Sequence, residues 1–336
     1  MEDKLLKGTF FHAAMMEGKV YTPVEKTAIS ELIDLVDVRL DRSNWRDHLD
    51  LLAEVDILFT SWGPPILDAA FLESAPRLRH VFHAAGSIKE IMTEAAWERN
   101  IGISSGYAAN AIPVAEYTLS QILFCLKNGW QLAHACTPEN TSLWRDSRDC
   151  IGTFGSKVGL VSLGMIGRKV VDLLRPFDIE VIAYDIHPDE EIESSFGVKA
   201  ATLEEIFSTC DCISLHAPLL PETVGMIRGE NFRSMKTGAS LINTARGAII
   251  RHDEMIEVLH ERPDITVVLD VTHPEPPRPS SELYRLPNVF LTPHIAGSRG
   301  GDRRRIGSYM VHELKRYLSG KELLWSISES QLKVLG

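Results

Sequence analysis

The sequence lacks several features that would assign the protein to a specialised class. No apolar run in its 336 residues approaches the roughly 20 residues that a bilayer-spanning helix needs. Its five cysteines form no C-x-x-C pair, which indicates reduced thiols without a disulfide framework or a bound metal. The net charge of −11 argues against a nucleic-acid surface. We therefore expect a cytoplasmic protein with no membrane, nucleic-acid or metal partner.

Apolar strand-like runs alternate with helical patterns along most of the chain. One series runs from Gly8 to Ser104, with helices predicted over Val24–Leu35 and Ile88–Arg99. A second series, with six strands, runs from Val158 to Leu291. Such alternation is typical of parallel sheets covered by helices on both faces, and six strands suit a Rossmann sheet. The sequence therefore predicts an α/β fold of two doubly wound domains, a flavodoxin-like domain followed by a Rossmann domain.

The connections between these series suggest where the domains begin and end. A long amphipathic helix is predicted over Ala111–Lys127, and a last helix over Asp302–Leu318 is expected to return to the first domain. We therefore predict a discontinuous first domain over residues 1–107 and 298–336 and a Rossmann domain over residues 108–297. The active site would lie in the cleft between them.

A dinucleotide-binding motif opens the second series. Residues Lys157–Asp185 read as a strand, a glycine turn, an amphipathic helix and a second strand that ends in an acid. Gly164 allows close approach to a pyrophosphate, Gly167 allows the helix to pack on the strand, and Asp185 is placed to bind the adenosine ribose hydroxyls. Ser162 replaces the first glycine of G-x-G-x-x-G. The alternative is an ordinary strand-turn-helix whose glycines serve packing.

The residues after this motif indicate which cofactor it binds. Asp185–Glu191 is acidic and contains no arginine or lysine to pair with a 2′-phosphate. We therefore predict NAD rather than NADP.

Three further motifs follow later strands of the second series, where Rossmann sheets place their ligands. Arg246, in NTARG, is expected to hold a substrate carboxylate in two parallel hydrogen bonds and to polarise the adjacent carbonyl. A surface salt bridge is the alternative. Glu275 and His294 are separated by one strand, and a carboxylate beside a histidine favours the imidazolium and suits it to proton donation. A structural role for His294 is the alternative, and His12, His83, His216 and His273 are other candidates.

Taken together, these motifs resemble the D-isomer-specific 2-hydroxyacid dehydrogenases. The resemblance rests on SLGMIG with YD, LHAPLLPET, NTARG, LDV with Glu275, and TPHIAG, and it covers most of Ala109–Gly297. It implies that Arg246 binds the substrate carboxylate, that His294 donates the proton and that Glu275 is its partner. The first domain would bind substrate through Gly86 and Ser87, where the family's usual pattern is altered, and Lys89 would either meet a second anionic group or lie solvated.

The resemblance also implies a set of cofactor contacts and an assembly. A homodimer is expected through the long helix Ala111–Lys127. Residues predicted to contact NAD are Gly164, Met165, Ile166, Gly167, Asp185, His216, Pro218, Thr223, Thr244, Ala245, Asp270, Ala296 and Gly297.

The resulting hypothesis is an NAD-dependent oxidoreductase that interconverts a 2-keto acid and a D-2-hydroxy acid by hydride transfer. It would resemble either a glyoxylate or hydroxypyruvate reductase or a phosphoglycerate dehydrogenase. The alternative is an NAD(H)-sensing regulatory protein of the corepressor type. Such proteins in this superfamily keep the same fold and the same three residue types as Arg246, Glu275 and His294.

Overall fold

The structure is a computed structural model that describes residues 5–140, 150–186 and 196–333. It forms two compact units. The first comprises the chain up to Asn110 and again from Ser298 onward, and the second is Ala111–Gly297. In the described part, no helix combines the length and the apolar character needed to cross a membrane.

The first unit is built on a parallel five-stranded sheet. Its order is β2-β1-β3-β4-β5, which is the doubly wound order of flavodoxin-like domains. β3 and β4 are buried at every position, as expected for strands covered on both faces. The predicted fold of this domain is therefore confirmed. Its strands are β1 (Lys7–Phe11), β2 (Asp34–Leu40), β3 (Ile57–Thr60), β4 (His80–His83) and β5 (Gly102–Ser105).

Two helices of the first unit are shorter than predicted. The helix expected over Val24–Leu35 ends at Ser30, because Asp34 already begins β2. The helix expected over Ile88–Arg99 is confined to Glu94–Glu98, where the Thr93 side chain caps its first turn. The helices of this unit are Pro23–Ser30, Leu49–Leu52, Ala69–Ser74, Glu94–Glu98, Gly301–Leu318 and Glu329–Leu332.

The second unit contains a longer parallel sheet. Its order is β12-β11-β10-β9-β6-β7-β8, and the strand order reverses between β6 and β9. This is a Rossmann sheet. The described residues form seven strands, whereas six were predicted. The additional strand is β8, which has only two residues, both exposed, and so carries no hydrophobic pattern in the sequence. Its strands are β6 (Ser156–Val161), β7 (Ile179–Tyr184), β8 (Lys199–Ala200), β9 (Cys212–Leu215), β10 (Ser240–Asn243), β11 (Thr266–Leu269) and β12 (Val289–Leu291).

Helices cover this second sheet, and one of them joins the two units along the chain. Tyr107–Cys125 begins four residues before the predicted Ala111, so that Pro113 lies inside the helix rather than in its first turn. Strongly amphipathic Met165–Leu174 buries Val170, Val171 and Leu174 in the core beneath β6 and β7. The remaining helices that the structure describes in this unit are Gly129–Ala135, Leu203–Thr209, Gly229–Ser234 and His252–Glu261.

The parallel arrangement brings the carboxyl ends of the strands to one edge of the second sheet. The residue immediately after each of six strands is polar, and these residues therefore share that edge. They are Ser162, Asp185, His216, Thr244, Asp270 and Thr292.

Candidate active site

The glycine turn after β6 is shaped for close approach. A Cβ atom on Gly167 would lie 2.4 Å from the Ser162 carbonyl oxygen, so only glycine lets the helix pack against the turn. A Cβ on Gly164 would meet no atom within 4 Å, which leaves open space beside the residue that caps the helix. The backbone N–H groups of Met165 and Ile166 are at the positive end of this helix. The turn therefore fits the pyrophosphate of a dinucleotide.

Asp185 follows β7 and binds the same turn. Its Oδ2 accepts hydrogen bonds from the Leu163 backbone N–H at 2.7 Å and from the Ser162 hydroxyl at 3.1 Å. The carboxylate that was predicted to bind the ribose hydroxyls is therefore also a partner of the glycine turn. Of the acidic stretch that led us to predict NAD, His187–Glu191 lies outside the described residues.

His216, which follows β9, is a buried polar side chain. Neither ring nitrogen forms a hydrogen bond within the described part of the chain. Burial lowers the pKa of His216 to about 4, so its ring is neutral near pH 7. An orphaned ring of this kind at the binding edge of the sheet fits contact with a polar group of a bound cofactor.

The segment after His216 uses its side chains locally. The Thr223 hydroxyl donates to the Pro218 carbonyl oxygen at 2.6 Å and accepts from the Leu220 N–H at 2.9 Å. Thr223 thus holds the turn that contains Pro218. Their predicted contacts with NAD stay predictions.

Arg246 is held at the end of β10 by a close backbone contact. A Cβ on Gly247 would lie 2.0 Å from the Thr272 carbonyl carbon, so the glycine allows this loop to pack against the loop that carries Glu275. Burial lowers the pKa of Arg246, and the charge of Glu275 acts in the opposite direction. The guanidinium Nη1 donates to the Ala245 carbonyl oxygen at 2.7 Å. A largely buried guanidinium beside a carboxylate is suited to bind an anion.

The structure brings Glu275 and His294 together. His294 Nδ1 lies 2.6 Å from Glu275 Oε1, and both side chains are about half exposed, at 49% and 42%. His294 has a φ of 53°, in the left-handed region that a non-glycine residue seldom adopts. Strain of this kind is often retained where a side chain must point in one direction.

Asp270 fixes the loop that carries His294. Its Oδ1 accepts from the Thr292 hydroxyl at 2.6 Å and from the Ile295 N–H at 2.8 Å, and its Oδ2 accepts from the Ala296 N–H at 2.9 Å. The His294 N–H donates to the Asp270 carbonyl oxygen at 3.0 Å. Asp270 is almost fully buried, at 2% exposed. It is therefore the anchor of the loop from Thr292 to Ala296.

The other predicted residues of this edge are placed nearby in the fold. The Thr244 hydroxyl lies 3.2 Å from the Thr118 hydroxyl, and the Ala245 N–H donates to Asn243 Oδ1 at 3.0 Å. Ala296 is buried and Gly297 is partly buried at the end of the unit. Whether these residues contact NAD stays a prediction.

In the first unit, the loop after β4 contains Gly86 and Ser87. Gly86 and Ser87 have no backbone acceptor for their N–H groups among the described residues, whereas the Gly86 carbonyl accepts from the Ser105 hydroxyl at 2.6 Å. Two such N–H groups suit a carboxylate. Their assignment to substrate remains a prediction.

Two supporting residues were not predicted from the sequence. The Tyr117 hydroxyl lies 3.0 Å from the Thr292 hydroxyl. His252 Nδ1 lies 3.0 Å from the His273 carbonyl oxygen. Both support loops that carry Glu275 or His294. No local signal marked them, because each contact joins residues more than 20 positions apart in the sequence.

Comparison with known proteins supplies the family. Residues 120–296, more than half of the chain, match the family described as D-isomer specific 2-hydroxyacid dehydrogenase, NAD binding domain. D-3-phosphoglycerate dehydrogenase of Methanocaldococcus jannaschii is 29% identical over 91% of this chain and 58% of its own length. The human enzyme of the same name is 30% identical over 79% of this chain and 49% of its own length. The chain thus spans about half the length of the curated relatives it matches.

A solved structure supports the fold. The apo form of D-mandelate dehydrogenase from Rhodotorula graminis matches with a TM-score of 0.81 and 20% identity, over 96% of this chain and 98% of that one. The match of residues 120–296 to the NAD-binding domain of this family confirms the predicted family and cofactor. The chain belongs to the D-isomer specific 2-hydroxyacid dehydrogenases, and its second unit is their NAD-binding domain.

Proposed function

We propose that the protein is an NAD-dependent dehydrogenase that interconverts a 2-keto acid and the corresponding D-2-hydroxy acid. The observation that carries the proposal is the constellation in the second unit. The partly buried guanidinium of Arg246 is within electrostatic reach of Glu275, which is itself 2.6 Å from His294. One anion-binding group and one proton-transfer pair are what a 2-keto acid requires beside a hydride donor.

Each of the three residues has its own task. Arg246 binds the substrate carboxylate and draws electron density from the adjacent carbonyl. His294 gives a proton to the carbonyl oxygen during reduction and removes one from the hydroxyl during oxidation. Glu275 stabilises the imidazolium and holds the ring in place.

The cofactor site is formed by residues of the same unit. Gly164, Met165, Ile166 and Gly167 would hold the pyrophosphate, and Asp185 would bind the adenosine ribose. Bound NAD supplies the hydride acceptor, or NADH the hydride donor. The neutral His216 ring would offer one ring nitrogen to the cofactor.

The substrate is proposed at the level of a class. The curated relatives are named D-3-phosphoglycerate dehydrogenase, which favours 3-phosphoglycerate, and the same site chemistry suits glyoxylate and hydroxypyruvate. Initial rates should be measured with glyoxylate, hydroxypyruvate and pyruvate in the presence of NADH or NADPH, and with 3-phosphoglycerate in the presence of NAD.

We expect saturable turnover with at least one of these substrates and a preference for NADH over NADPH. A protein that binds NADH tightly yet turns over none of them would contradict the enzymatic proposal. Such a result would favour the NAD(H)-sensing alternative.

We further propose a homodimer formed through the helix Tyr107–Cys125. Phe124 near its end is 41% exposed and contacts the ring of Trp130 edge to face, with ring centroids 5.2 Å apart. Phe124 offers an exposed apolar contact on this helix, and closed two-fold dimers are the commonest assembly of soluble proteins. Light scattering at micromolar concentration should give twice the mass of the 37.5 kDa chain. A monomeric mass would exclude the dimer.

A further inference from the structure

Ser162 is an unusual residue for its position. It stands where the dinucleotide fingerprint has its first glycine, and it adopts a φ of 80°, a conformation that suits glycine. Its backbone is nevertheless fixed, because its N–H donates to the Tyr184 carbonyl oxygen at 2.7 Å. A serine here therefore bears backbone strain that a glycine would avoid.

The side chain of Ser162 compensates for this strain by a contact that glycine lacks. Its hydroxyl donates to Asp185 Oδ2 at 3.1 Å, beside the Leu163 N–H that donates to the same oxygen at 2.7 Å. Ser162 is only 6% exposed, so little water competes for this hydrogen bond. Two donors on one oxygen restrict the rotation of the carboxylate more than the backbone N–H alone.

We propose that Ser162 is a positioning residue for NAD selection, which holds the Asp185 carboxylate in the orientation that binds the adenosine ribose hydroxyls. The inference rests on the proposed role of Asp185 in binding the ribose. A fixed carboxylate forms its hydrogen bonds to the ribose without first losing rotational freedom. It also remains close to the ribose, where it repels the 2′-phosphate of NADPH. In this chain, the serine therefore strengthens discrimination between the two cofactors at the cost of a strained backbone.

Two substitutions separate the hydroxyl from the strain. Ser162→Ala removes the hydroxyl and keeps the strained backbone, whereas Ser162→Gly removes both. Each variant should bind NADH about 3- to 10-fold more weakly than the wild type in a fluorescence titration. In thermal unfolding without cofactor, the glycine variant should melt at a higher temperature than the alanine variant.

The cofactor ratio distinguishes positioning from a general loosening of the turn. A loosened turn would weaken the binding of NADH and of NADPH alike, because both dinucleotides use the same pyrophosphate site. If instead only the Asp185 carboxylate loses its fixed orientation, the binding of NADH is weakened more than the binding of NADPH. The ratio of the NADPH dissociation constant to the NADH dissociation constant should therefore fall in both variants.

A double-mutant cycle with Asp185→Ala tests whether the hydroxyl acts through the carboxylate. Once Asp185 is alanine, Ser162→Ala should leave NADH affinity unchanged. The proposal is overturned if Ser162→Ala weakens NADH equally in both backgrounds, if either single variant binds NADH as tightly as the wild type, or if the cofactor ratio stays constant. All of these measurements are of binding or thermal stability, and none uses turnover, so a failure of the proposed enzymatic activity would not be mistaken for a failure of this inference.

Discussion

His294 is held through its backbone and its ring together. The backbone N–H donates to Asp270, φ lies in the left-handed region at 53°, and the ring meets Glu275 at 2.6 Å. All of these contacts are made by groups of the protein itself. The orientation of the His294 ring is therefore fixed from both its backbone and its side chain.

Replacing His294 should separate chemistry from binding. His294→Ala should lower kcat for keto-acid reduction by about 10²- to 10⁴-fold, because only proton transfer is lost. NADH affinity, measured by fluorescence titration, should stay within about two-fold of the wild type, since the ring lies outside the glycine turn.

Arg246→Ala should instead raise KM and lower kcat, because the guanidinium both binds the carboxylate and polarises the carbonyl.

The same unit offers a matched control. His260 Nε2 lies 2.7 Å from Glu282 Oε2, and both side chains are exposed to a degree similar to the His294 pair, at 56% and 53%. His260→Ala should therefore leave kcat unchanged. Loss of activity in both alanine variants, or in neither, would remove His294 from its assigned role.

At the scale of elements, the loop after β12 depends on one buried carboxylate at the end of β11. Asp270 accepts hydrogen bonds from Thr292, Ile295 and Ala296, which lie on both sides of His294 in the sequence. In Asp270→Asn, the amide nitrogen would have to face one of these donors. The loop would then lose at least one hydrogen bond within two residues of His294.

Asp270→Asn should therefore reduce stability and activity together. We expect the free energy of unfolding to fall by about 1–3 kcal/mol, since a buried donor is left without an acceptor. The kcat should fall by about 10- to 100-fold, because displacement of a catalytic group by about 1 Å has an effect of this size. Urea denaturation and initial-rate measurements on the same preparation test both effects.

Asp211 provides the control for a purely structural loss. It precedes β9 at the opposite edge of the same sheet, is 7% exposed, and accepts from the Lys157 N–H at 2.8 Å. Asp211→Asn should lower stability without lowering kcat. If Asp270→Asn behaves in the same way, the carboxylate does not position His294.

The elements differ in how far the sequence alone could predict them. The strands that precede Asp185, Thr244 and Asp270 were predictable, because each contains a short apolar run and is followed at once by a polar residue. β8 was not, since two exposed residues carry no hydrophobic pattern. Residues Ile88–Met92 pack into the core of the first unit but are not helical. Their apolar spacing reflects burial, and buried side chains with this spacing also occur outside helices.

The candidate site shows the same limit. Glu275 and His294 were paired from the spacing of two strand ends, and the structure confirms their contact. The left-handed conformation of Ser162 and the contact of Gly247 with Thr272 were not foreseen. Both depend on how the backbone of one loop packs against another, and a single sequence holds no local record of that.

At the scale of the whole molecule, two buried histidines link stability to pH. In the first unit, His80 Nε2 lies 3.1 Å from the Ser104 hydroxyl, which itself donates to buried Glu313. His83 Nδ1 lies 2.8 Å from the Thr60 hydroxyl. Burial lowers the pKa of His80 to about 3 and that of His83 to about 3. Both side chains are therefore neutral in the folded protein at physiological pH.

The direction of the pH effect follows from these values. Between about pH 3 and pH 6.5 the unfolded chain binds protons at His80 and His83 and the folded chain does not, so stability rises with pH. The contribution is fully present above pH 6.5 and is lost as the pH falls. Between pH 7.5 and pH 5, each histidine should account for about 2 kcal/mol of lost unfolding free energy.

Replacing both histidines should therefore make the protein less sensitive to acid. In His80→Gln the amide nitrogen takes the place of Nε2, and in His83→Asn an amide atom takes the place of Nδ1, so each hydrogen bond to a hydroxyl is kept without a group that titrates. The double variant is expected to lose about 4 kcal/mol less than the wild type between pH 7.5 and pH 5. Urea denaturation at both pH values, followed by circular dichroism, measures the two differences directly. Because His216 in the second unit also has a lowered pKa, some acid sensitivity should remain in the double variant. An unchanged loss of stability would show that acid acts on the protein through groups other than these two histidines.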